Sequence, residues 1–292
     1  MFEGLNASSL FAVSAATMFG LTAHAIKRGI AHVDPQTASV VSIATTLLCF
    51  LVFAPFWIDS ADWNSSAIPV FAVIGLIQPA ISRYFAYEAN RRVGPTISAT
   101  FTAVTPLIAA VIAITFLGES LSLGIAMGTL ITVAGILTIS WNFQGAGTML
   151  RGALLFALAT STIRALTANM GRYGMTVLPN PLMGALVAFS VSLLVGVSIY
   201  IFQKKRLPGG IPKVGIFWCG VAGVISAIAV IFLYSALLYG SVLTVSPILA
   251  TAPIFTLIFA FLFRVDSPTR RTVFGVVFVV IGVVIVILRP GG

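Results

Sequence analysis

Residues 105–120 have the sequence TPLIAAVIAITFLGES, and residues 252–267 have the related sequence APIFTLIFAFLFRVDS. The two stretches align without gaps, and each has a proline in second place and an acidic residue followed by serine at its end. The same shift pairs Tyr87 with Tyr234, Gly128 with Gly275 and Gly135 with Gly282. The chain is therefore predicted to consist of two related halves, residues 1–145 and 146–292.

The composition of the chain excludes a water-soluble protein. Hydrophobic residues make up 59% of the 292 residues and charged residues only 8%, whereas soluble domains carry about 25% charged residues. Disorder is excluded too, because so apolar a chain does not stay solvated. Basic residues outnumber acidic ones by 16 to 7, but they are dispersed between apolar stretches, so no nucleic-acid partner is expected. The composition predicts an all-α polytopic protein embedded in the lipid bilayer.

Ten stretches are apolar enough to cross a bilayer as helices, which takes about 20 residues each. They lack the alternation of apolar and polar residues that β-barrel strands show. The predicted spans are 8–26, 36–57, 67–90, 94–117, 121–141, 152–171, 179–202, 212–238, 241–263 and 268–288.

The distribution of lysine and arginine among the loops predicts the orientation in the membrane, because basic loops stay in the cytoplasm. One set of loops holds Lys27, Arg28, Arg91, Arg92, Arg151, Lys204, Lys205, Arg206, Lys213, Arg264, Arg270 and Arg271. The opposite set, together with the chain ends, holds only Arg172 and Arg289. A bacterial inner-membrane protein with both termini in the periplasm is therefore predicted.

Five spans in each half is an odd number, so the second half must enter the membrane upside down relative to the first. Inverted repeats are typical of secondary transporters, in which two related arrangements of the halves open a central site to either side in turn. The repeat thus predicts a transporter that works by alternating access. It does not identify the cargo.

The motif Tyr87-x-x-Asn90-x-x-x-Gly94-Pro95, followed by Thr105-Pro106 and Gly118-Glu119-Ser120, resembles the EamA family of the drug/metabolite transporter superfamily. Both halves carry a version, so the resemblance covers essentially the whole chain. It implies ten helices that export small metabolites, often amino acids, with a central cavity lined by helices 1, 3, 4, 6, 8 and 9. The aromatic amino-acid exporters of the YddG type are one branch of such transporters.

Arg83 is the leading candidate for substrate binding. A charge inside the membrane is unfavourable by about 2.5–3.5 kcal/mol on insertion scales, so it is expected to face a cavity or a partner. Arg83 and Tyr87 lie one helical turn apart on one face, with Tyr84 on the adjacent face, and a guanidinium there would hold a substrate carboxylate in a bidentate contact. The alternative is an Arg83–Glu88 pair, or an arginine that extends to the interface and anchors the helix.

Further substrate-binding candidates lie elsewhere in the predicted spans. Arg164 is near the middle of the sixth span, where the alternative is a structural pair with an acidic side chain. His24 could carry a proton or serve only as a boundary residue with a satisfied hydrogen bond. Three weaker candidates are polar residues in apolar stretches: Gln78, Asn169 and Tyr234.

Other motifs favour structural roles. Pro106 and Pro253 occupy matched positions and are predicted to kink helices four and nine, as hinges or as shape-giving bends. Glu119-Ser120 is expected to cap the helix that follows it. The spacing of Gly124 and Gly128, like that of two glycines in the last span, allows close packing within the bundle or against a second subunit. Either a monomer or a homodimer is therefore expected.

The sequence contains no constellation that points to catalysis. No cluster of histidine, cysteine and acidic residues has the spacing of a metal site, and no phosphate-binding loop occurs, so no catalytic residue, metal or cofactor is predicted. A metabolite exporter remains the favoured function, driven by the substrate gradient or by proton exchange. The alternatives are an exporter of cationic drugs and, in another class, an intramembrane enzyme or lipid-handling protein.

Overall fold

The computed structural model describes residues 7–83, 85, 104–140, 150–204, 212–262 and 270–288. These ranges are helical, apart from short turns and loops, and hold no strand. The α-helices are α1 (Ala7–Ile30), α2 (Pro35–Trp57), α3 (Ile68–Ile77), α4 (Thr105–Phe116), α5 (Leu123–Ser140), α6 (Leu150–Val177), α7 (Pro181–Lys204), α8 (Lys213–Tyr239), α9 (Val242–Leu249), α10 (Ala252–Leu262) and α11 (Arg270–Leu288), with a 3-10 helix at Ser60–Asn64.

The described helices fit the ten predicted spans, although residue 84 and residues 86–103 of the third and fourth spans lie outside the described residues. Three details differ. In the third span, α3 ends at Ile77 and helical residues resume at Ala80. The sixth span extends further than predicted, because α6 continues to Val177 and so takes in Arg172. The ninth span consists of two helices, since α9 ends at Leu249 and α10 begins at Ala252. Within the described residues, five helical segments are long and apolar enough to cross a membrane, counting Val242–Phe259 of the ninth span as one, and four more apolar helices are shorter.

The glycines of α5 and α11 show how the two halves are related. A Cβ atom on Gly128 would lie 2.7 Å from the carbonyl oxygen of Gly282, and one on Gly135 would lie 2.8 Å from the carbonyl oxygen of Gly275. From the first contact to the second, the residue number rises from 128 to 135 in α5 and falls from 282 to 275 in α11. The two helices therefore run antiparallel. Small residues allow the backbones to approach this closely, and these glycines therefore pack against each other within one chain.

The same contacts demonstrate the inverted repeat. Gly275 and Gly282 are the counterparts of Gly128 and Gly135, so exchanging the halves turns one contact into the other. A contact that maps onto itself requires a two-fold axis. Because the paired helices are antiparallel, the axis lies in the plane of the membrane, as an inverted repeat demands.

Loop contacts sort the helix ends into two sides. On one side, the Asn180 side-chain amide donates to the Trp57 carbonyl at 2.9 Å and to the Asp62 carboxylate at 2.7 Å. On the other, the Gln36 side-chain amide donates to the side-chain oxygen of Gln203. The side that holds Gln36 and Gln203 is called the basic side below, because the loop after Lys27 and Arg28 lies there.

Candidate functional site

Arg164 lies in the middle of α6, about 20 Å from either helix end at 1.5 Å per residue. One face of α6 is exposed at Leu155, Leu158, Thr162 and Leu166, which recur every three or four residues and form the lipid-facing stripe. Arg164 is two residues from Thr162 and two from Leu166, about 200° around the helix in each direction. It therefore points away from lipid, into the bundle.

The Arg164 side chain is nevertheless exposed to a water-sized probe, although it lies on the inward face of α6. Both observations hold if the guanidinium borders an internal space that water can enter. Among the residues that the structure describes, no group accepts a hydrogen bond from this guanidinium, and no acidic side chain pairs with it. A mid-membrane cation with no partner among the described residues is a candidate anion-binding group.

A hydrogen bond between the two halves brings Arg83 to the same region. The Thr167 hydroxyl donates to the side-chain oxygen of Gln78 at 2.6 Å. Arg83 follows Gln78 by five residues and Arg164 precedes Thr167 by three, and the two segments run in opposite directions. Both arginines therefore lie toward the basic side of this hydrogen bond. Their positive charges act on each other.

Arg83 lies against α2. Its guanidinium is 3.5 Å from the Ser39 hydroxyl and 3.4 Å from that of Ser42. A cavity of about 40 Å³ beside it is also lined by Gln36 and Tyr200, which is room for a few water molecules. Tyr84 and Tyr87, predicted as its neighbours in the site, lie outside the described residues, as does Glu88, the alternative partner.

Tyr234, on α8, packs its aromatic ring against the face of α6 that carries Arg164. A Cβ atom on Gly171 would lie 3.3 Å from the Tyr234 ring, and Gly171 is seven residues, about 10 Å, from Arg164. The ring of Tyr234 packs edge-on against Phe71 with centroids 5.7 Å apart. The predicted Tyr234 site residue is thus 5% exposed, and it lies along the helix from Arg164 toward the side opposite the basic side.

The acidic residues of the described ranges are Asp34, Asp59, Asp62 and Glu119, and none lies within a span. Asp34 accepts hydrogen bonds from the backbone N–H groups of Gln36 and Thr37 at the start of α2. Asp62 accepts from Asn180 in a loop. Within this part of the chain, the bundle interior therefore holds arginine side chains and no acidic one.

The two halves of the chain each match one family model. Residues 6–141 and residues 151–288 both match the model of the EamA-like transporter family. The chain belongs to this family. The resemblance predicted from the motifs is confirmed, and the protein is a multi-pass membrane transporter of the drug/metabolite type.

A solved crystal structure has the same fold as this EamA-like transporter. The two chains align over 95% of each with a TM-score of 0.78 and 17% sequence identity. At this identity the likeness shows the shared fold alone.

Two matched prolines of this EamA-like transporter lie at the starts of helices. Pro106 lies in the first turn of α4 and Pro253 is the second residue of α10. Proline lacks an N–H donor and clashes with the preceding turn, so it is favoured where a helix begins. In the ninth span the result is an interruption at Ala250 and Thr251, a larger departure than the expected kink. The hinge role of both prolines stays a prediction.

Asn169 is 4% exposed and joins α6 to α4. Its side-chain amide donates to the carbonyl oxygens of Ala109 at 3.1 Å and Ala165 at 2.8 Å. Its side-chain oxygen is buried and has no hydrogen-bond partner. The residue lies about 140° around α6 from Arg164, so the structure places these two candidates on different faces.

His24 lies on α1 against α10. Its Nε2 atom is 2.7 Å from the carbonyl oxygen of Thr256, and its ring meets Phe259 edge-on with centroids 6.5 Å apart. Because a carbonyl only accepts, Nε2 must carry the proton in this contact. His24 therefore joins two helices here, and its proposed part in substrate binding stays a prediction.

The structure corrects the role expected for Glu119. Its two carboxylate oxygens accept hydrogen bonds from the N–H groups of Val242 at 2.9 Å and Leu243 at 3.1 Å. It thus caps α9 in the other half, whereas Ser122 accepts from the N–H of Ile125 and caps α5. Gly118, with φ at +64°, turns the chain at the end of α4 and so directs Glu119 toward α9.

Two contributions were missed in the sequence. The guanidinium of Arg172 donates to the carbonyl oxygens of Leu237 at 2.6 Å and Leu238 at 2.9 Å, at the end of α8. Cations stabilise helix C-termini in this way. The second is Thr167, whose bond to Gln78 spans the two halves. Arg172 could have been noticed because it is an arginine on the side opposite the basic loops. No local sequence pattern marked Thr167.

Proposed function

We propose that this transporter exports small carboxylate-containing metabolites, amino acids first among them, across the bacterial inner membrane by alternating access. The observation that carries the proposal is Arg164, an inward-facing, water-accessible guanidinium at mid-membrane depth with no partner among the described residues. Such a group suits a bidentate contact with a substrate carboxylate. Arg83 supplies a second positive charge on the same side of the Thr167–Gln78 hydrogen bond.

The two-fold relation of the halves supports alternating access. Helices α5 and α11 meet in a contact that exchange of the halves leaves unchanged, so a conformation in which the two halves have exchanged their arrangements keeps this contact. A transporter built this way has two related conformations, open to opposite sides. Under the positive-inside rule, both termini lie in the periplasm.

Arginines in the interior also speak against the alternative of cationic drugs. A cationic cargo would need a buried anion or an aromatic cage, and the described acidic residues lie at helix ends and in loops. The carboxylate therefore remains the favoured recognition element.

The test is efflux of labelled amino acids from proteoliposomes. Arg164→Ala is expected to raise the substrate KM about 30-fold, because a charge-assisted bidentate contact contributes about 2 kcal/mol. Arg164→Lys keeps the charge but loses the forked geometry, so its effect is expected to be smaller. The matched control is Arg28→Ala, which removes an exposed arginine that stacks on Trp218 at 4.5 Å. Unchanged efflux in Arg164→Ala would remove the basis of the proposal.

The orientation is tested separately with a reporter fused after Gly292. A periplasmic reporter enzyme is expected to be active in intact bacteria. Activity of a cytoplasmic reporter at the same position would contradict the proposed orientation.

A further inference from the structure

We infer that Glu119, Arg172 and Ser8 form a latch that closes the transport pathway on the side opposite the basic side. The three side chains hold the turn between α8 and α9, and this turn moves away from them when the central site opens to that side. The inference rests on the proposed alternating access. It adds the position of one gate and the residues that keep this gate shut.

Two oppositely charged side chains hold the two ends of the α8–α9 turn. Arg172, on α6, donates to the carbonyl oxygens of Leu237 and Leu238 at the end of α8. Glu119, from the loop between α4 and α5, accepts from two N–H groups at the start of α9. A helix carries partial negative charge at its C-terminus and partial positive charge at its N-terminus. The cation and the anion therefore each lie at the helix end that attracts them.

Ser8 holds the same turn from a third element. Its hydroxyl, on α1, donates to the carbonyl oxygen of Ala236 at 2.9 Å. A Cβ atom on Gly240 would clash with the Ser8 side chain, so the turn lies directly against the start of α1. The α8–α9 turn is thus held from α1, from α6 and from the α4–α5 loop, which belong to both halves of the chain.

The bundle is packed shut between Arg164 and this turn. The buried ring of Tyr234 lies on that side of Arg164 and packs edge-on against the buried ring of Phe71. Every residue of α9 from Val242 to Ile248 is buried as well. Tyr234 precedes Leu237 by three residues, which is less than one helical turn. The latch contacts at the end of α8 therefore also hold the Tyr234 ring in the closed position.

The latch is only partly repeated in the other half. Under the alignment of the two halves, the counterpart of Arg172 is Ala25. The counterpart of Ser8 is Leu155. Neither alanine nor leucine has a polar group that could hold a turn, so exchanging the halves would give the basic side a latch without two of its three contacts. The protein at rest is therefore expected to favour the conformation that is closed on the side opposite the basic side.

The first test asks whether the turn must move during transport. The cysteines Cys49 and Cys219 are replaced with alanine, and a new cysteine pair is introduced at the exposed residues Ser120 and Tyr239. A short, reducible reagent that links two thiols then ties the α4–α5 loop to the end of α8. Efflux of labelled amino acids from proteoliposomes is expected to stop when the pair is linked and to return when the link is reduced.

The control pair links the two halves where no movement is expected. Leu123, at the start of α5, and Leu288, at the end of α11, are exposed on the antiparallel pair of helices, whose contact is preserved when the halves exchange their arrangements. A link between cysteines at these positions should leave efflux unchanged. Equal loss of efflux with both links, or full efflux with the Ser120–Tyr239 link in place, would overturn the inference.

The second test assigns the latch to its residues. Spin labels on the first cysteine pair report the distance from the α4–α5 loop to the end of α8 without any substrate. Glu119→Gln and Arg172→Gln are expected to populate the same longer distance, with a ratio of long to short about 5- to 30-fold above that of the labelled parent protein. Ser8→Ala is a milder change and should shift the ratio in the same direction. Asp62→Asn neutralises a carboxylate that binds Asn180 on the same side of the protein, and it should leave the ratio unchanged.

The distances decide the latch independently of the cargo. Different longer distances in Glu119→Gln and Arg172→Gln would show local loosening only and would overturn the inference, as would an unchanged ratio in all three latch variants. If the two charge-removing variants do not fold, the ratio in Ser8→Ala decides. Refutation of the latch would leave the proposed cargo and the role of Arg164 intact. Absence of amino-acid efflux from the unlinked protein would instead refute the proposed function, and the distances would still test the latch.

Discussion

Replacing Arg164 with leucine is expected to stabilise the folded protein, whereas the same change at Arg172 is expected to destabilise it. The two arginines lie on one helix, α6, eight residues apart. Arg172 donates hydrogen bonds to two backbone carbonyls, while Arg164 has no acceptor among the described residues. The sign of the stability change therefore reports what each guanidinium does in the fold.

The magnitudes follow from these environments. Arg164→Leu removes a charge whose burial at mid-membrane is unfavourable by up to about 3 kcal/mol. Water in the internal space reduces this penalty, so a gain of about 1 kcal/mol is expected. Arg172→Leu loses two charge-assisted hydrogen bonds at a helix C-terminus, for which a loss of about 2 kcal/mol is expected. The variants should thus differ by about 3 kcal/mol, or about 100-fold in the unfolding equilibrium constant.

The assay is reversible unfolding in mixed micelles, with sodium dodecyl sulfate as the denaturant and circular dichroism as the signal. Efflux from proteoliposomes is measured on the same preparations, where Arg164→Leu should raise the substrate KM about as much as Arg164→Ala does, despite its higher stability. A loss of stability in Arg164→Leu as large as that in Arg172→Leu would refute the reasoning. It would mean that Arg164 serves the fold and not the substrate.

Two further changes test contacts between the halves. Glu119→Gln keeps one oxygen acceptor for α9 but turns an amide toward the second N–H donor, so the free energy of unfolding is expected to fall by about 1–2 kcal/mol in the same assay. The control is Ser120→Ala, because Ser120 is the next residue and is exposed. An equal loss of stability in the two variants would contradict the capping role of Glu119. Gly128→Ala places a methyl group 2.7 Å from the Gly282 carbonyl oxygen and is expected to destabilise by about 1–3 kcal/mol through overpacking. Gly220→Ala is its control, because the nearest atom to the new methyl is 3.9 Å away, and a similar loss in both would show that glycine packing between α5 and α11 is not the cause.

The scaffold could be predicted because it is repeated. Proline, glycine and charged residues interrupt both halves at matching places, so α4 and α10 begin at positions that the alignment of Thr105 with Ala252 already pairs. Hydropathy, which depends on summed composition, then fixed the number of spans. Helix ends and orientation of the halves follow from local sequence of this kind.

The site could be predicted only in part, because it is not repeated. Under the same alignment, Arg83 corresponds to Val230 and Arg164 to Thr17, so the symmetry that reveals the scaffold says nothing about the site. Both arginines could be predicted as site residues from their depth in a span, because a charge at mid-membrane is unfavourable unless it faces a cavity or a partner. Which polar group meets which across the bundle depends on how the helices pack.

Glu119 illustrates what local patterns cannot decide. An acidic residue after a helix-ending glycine is compatible with a cap on the next helix, and the sequence favoured that interpretation. The carboxylate instead reaches α9, more than a hundred residues away in the chain. A loop of a few residues can serve any helix end within reach, and only the packing of the bundle selects one.

The antiparallel contact of α5 and α11 has a consequence for the origin of the chain. Each five-helix half already carries both glycines that the contact requires, Gly128 and Gly135 in the first half. Two separate copies of that half, inserted in opposite orientations, would present every surface needed to form the same pair. The peptide link between the halves is then a tether that fixes stoichiometry and orientation, while this one contact between them needs nothing that a single half does not carry.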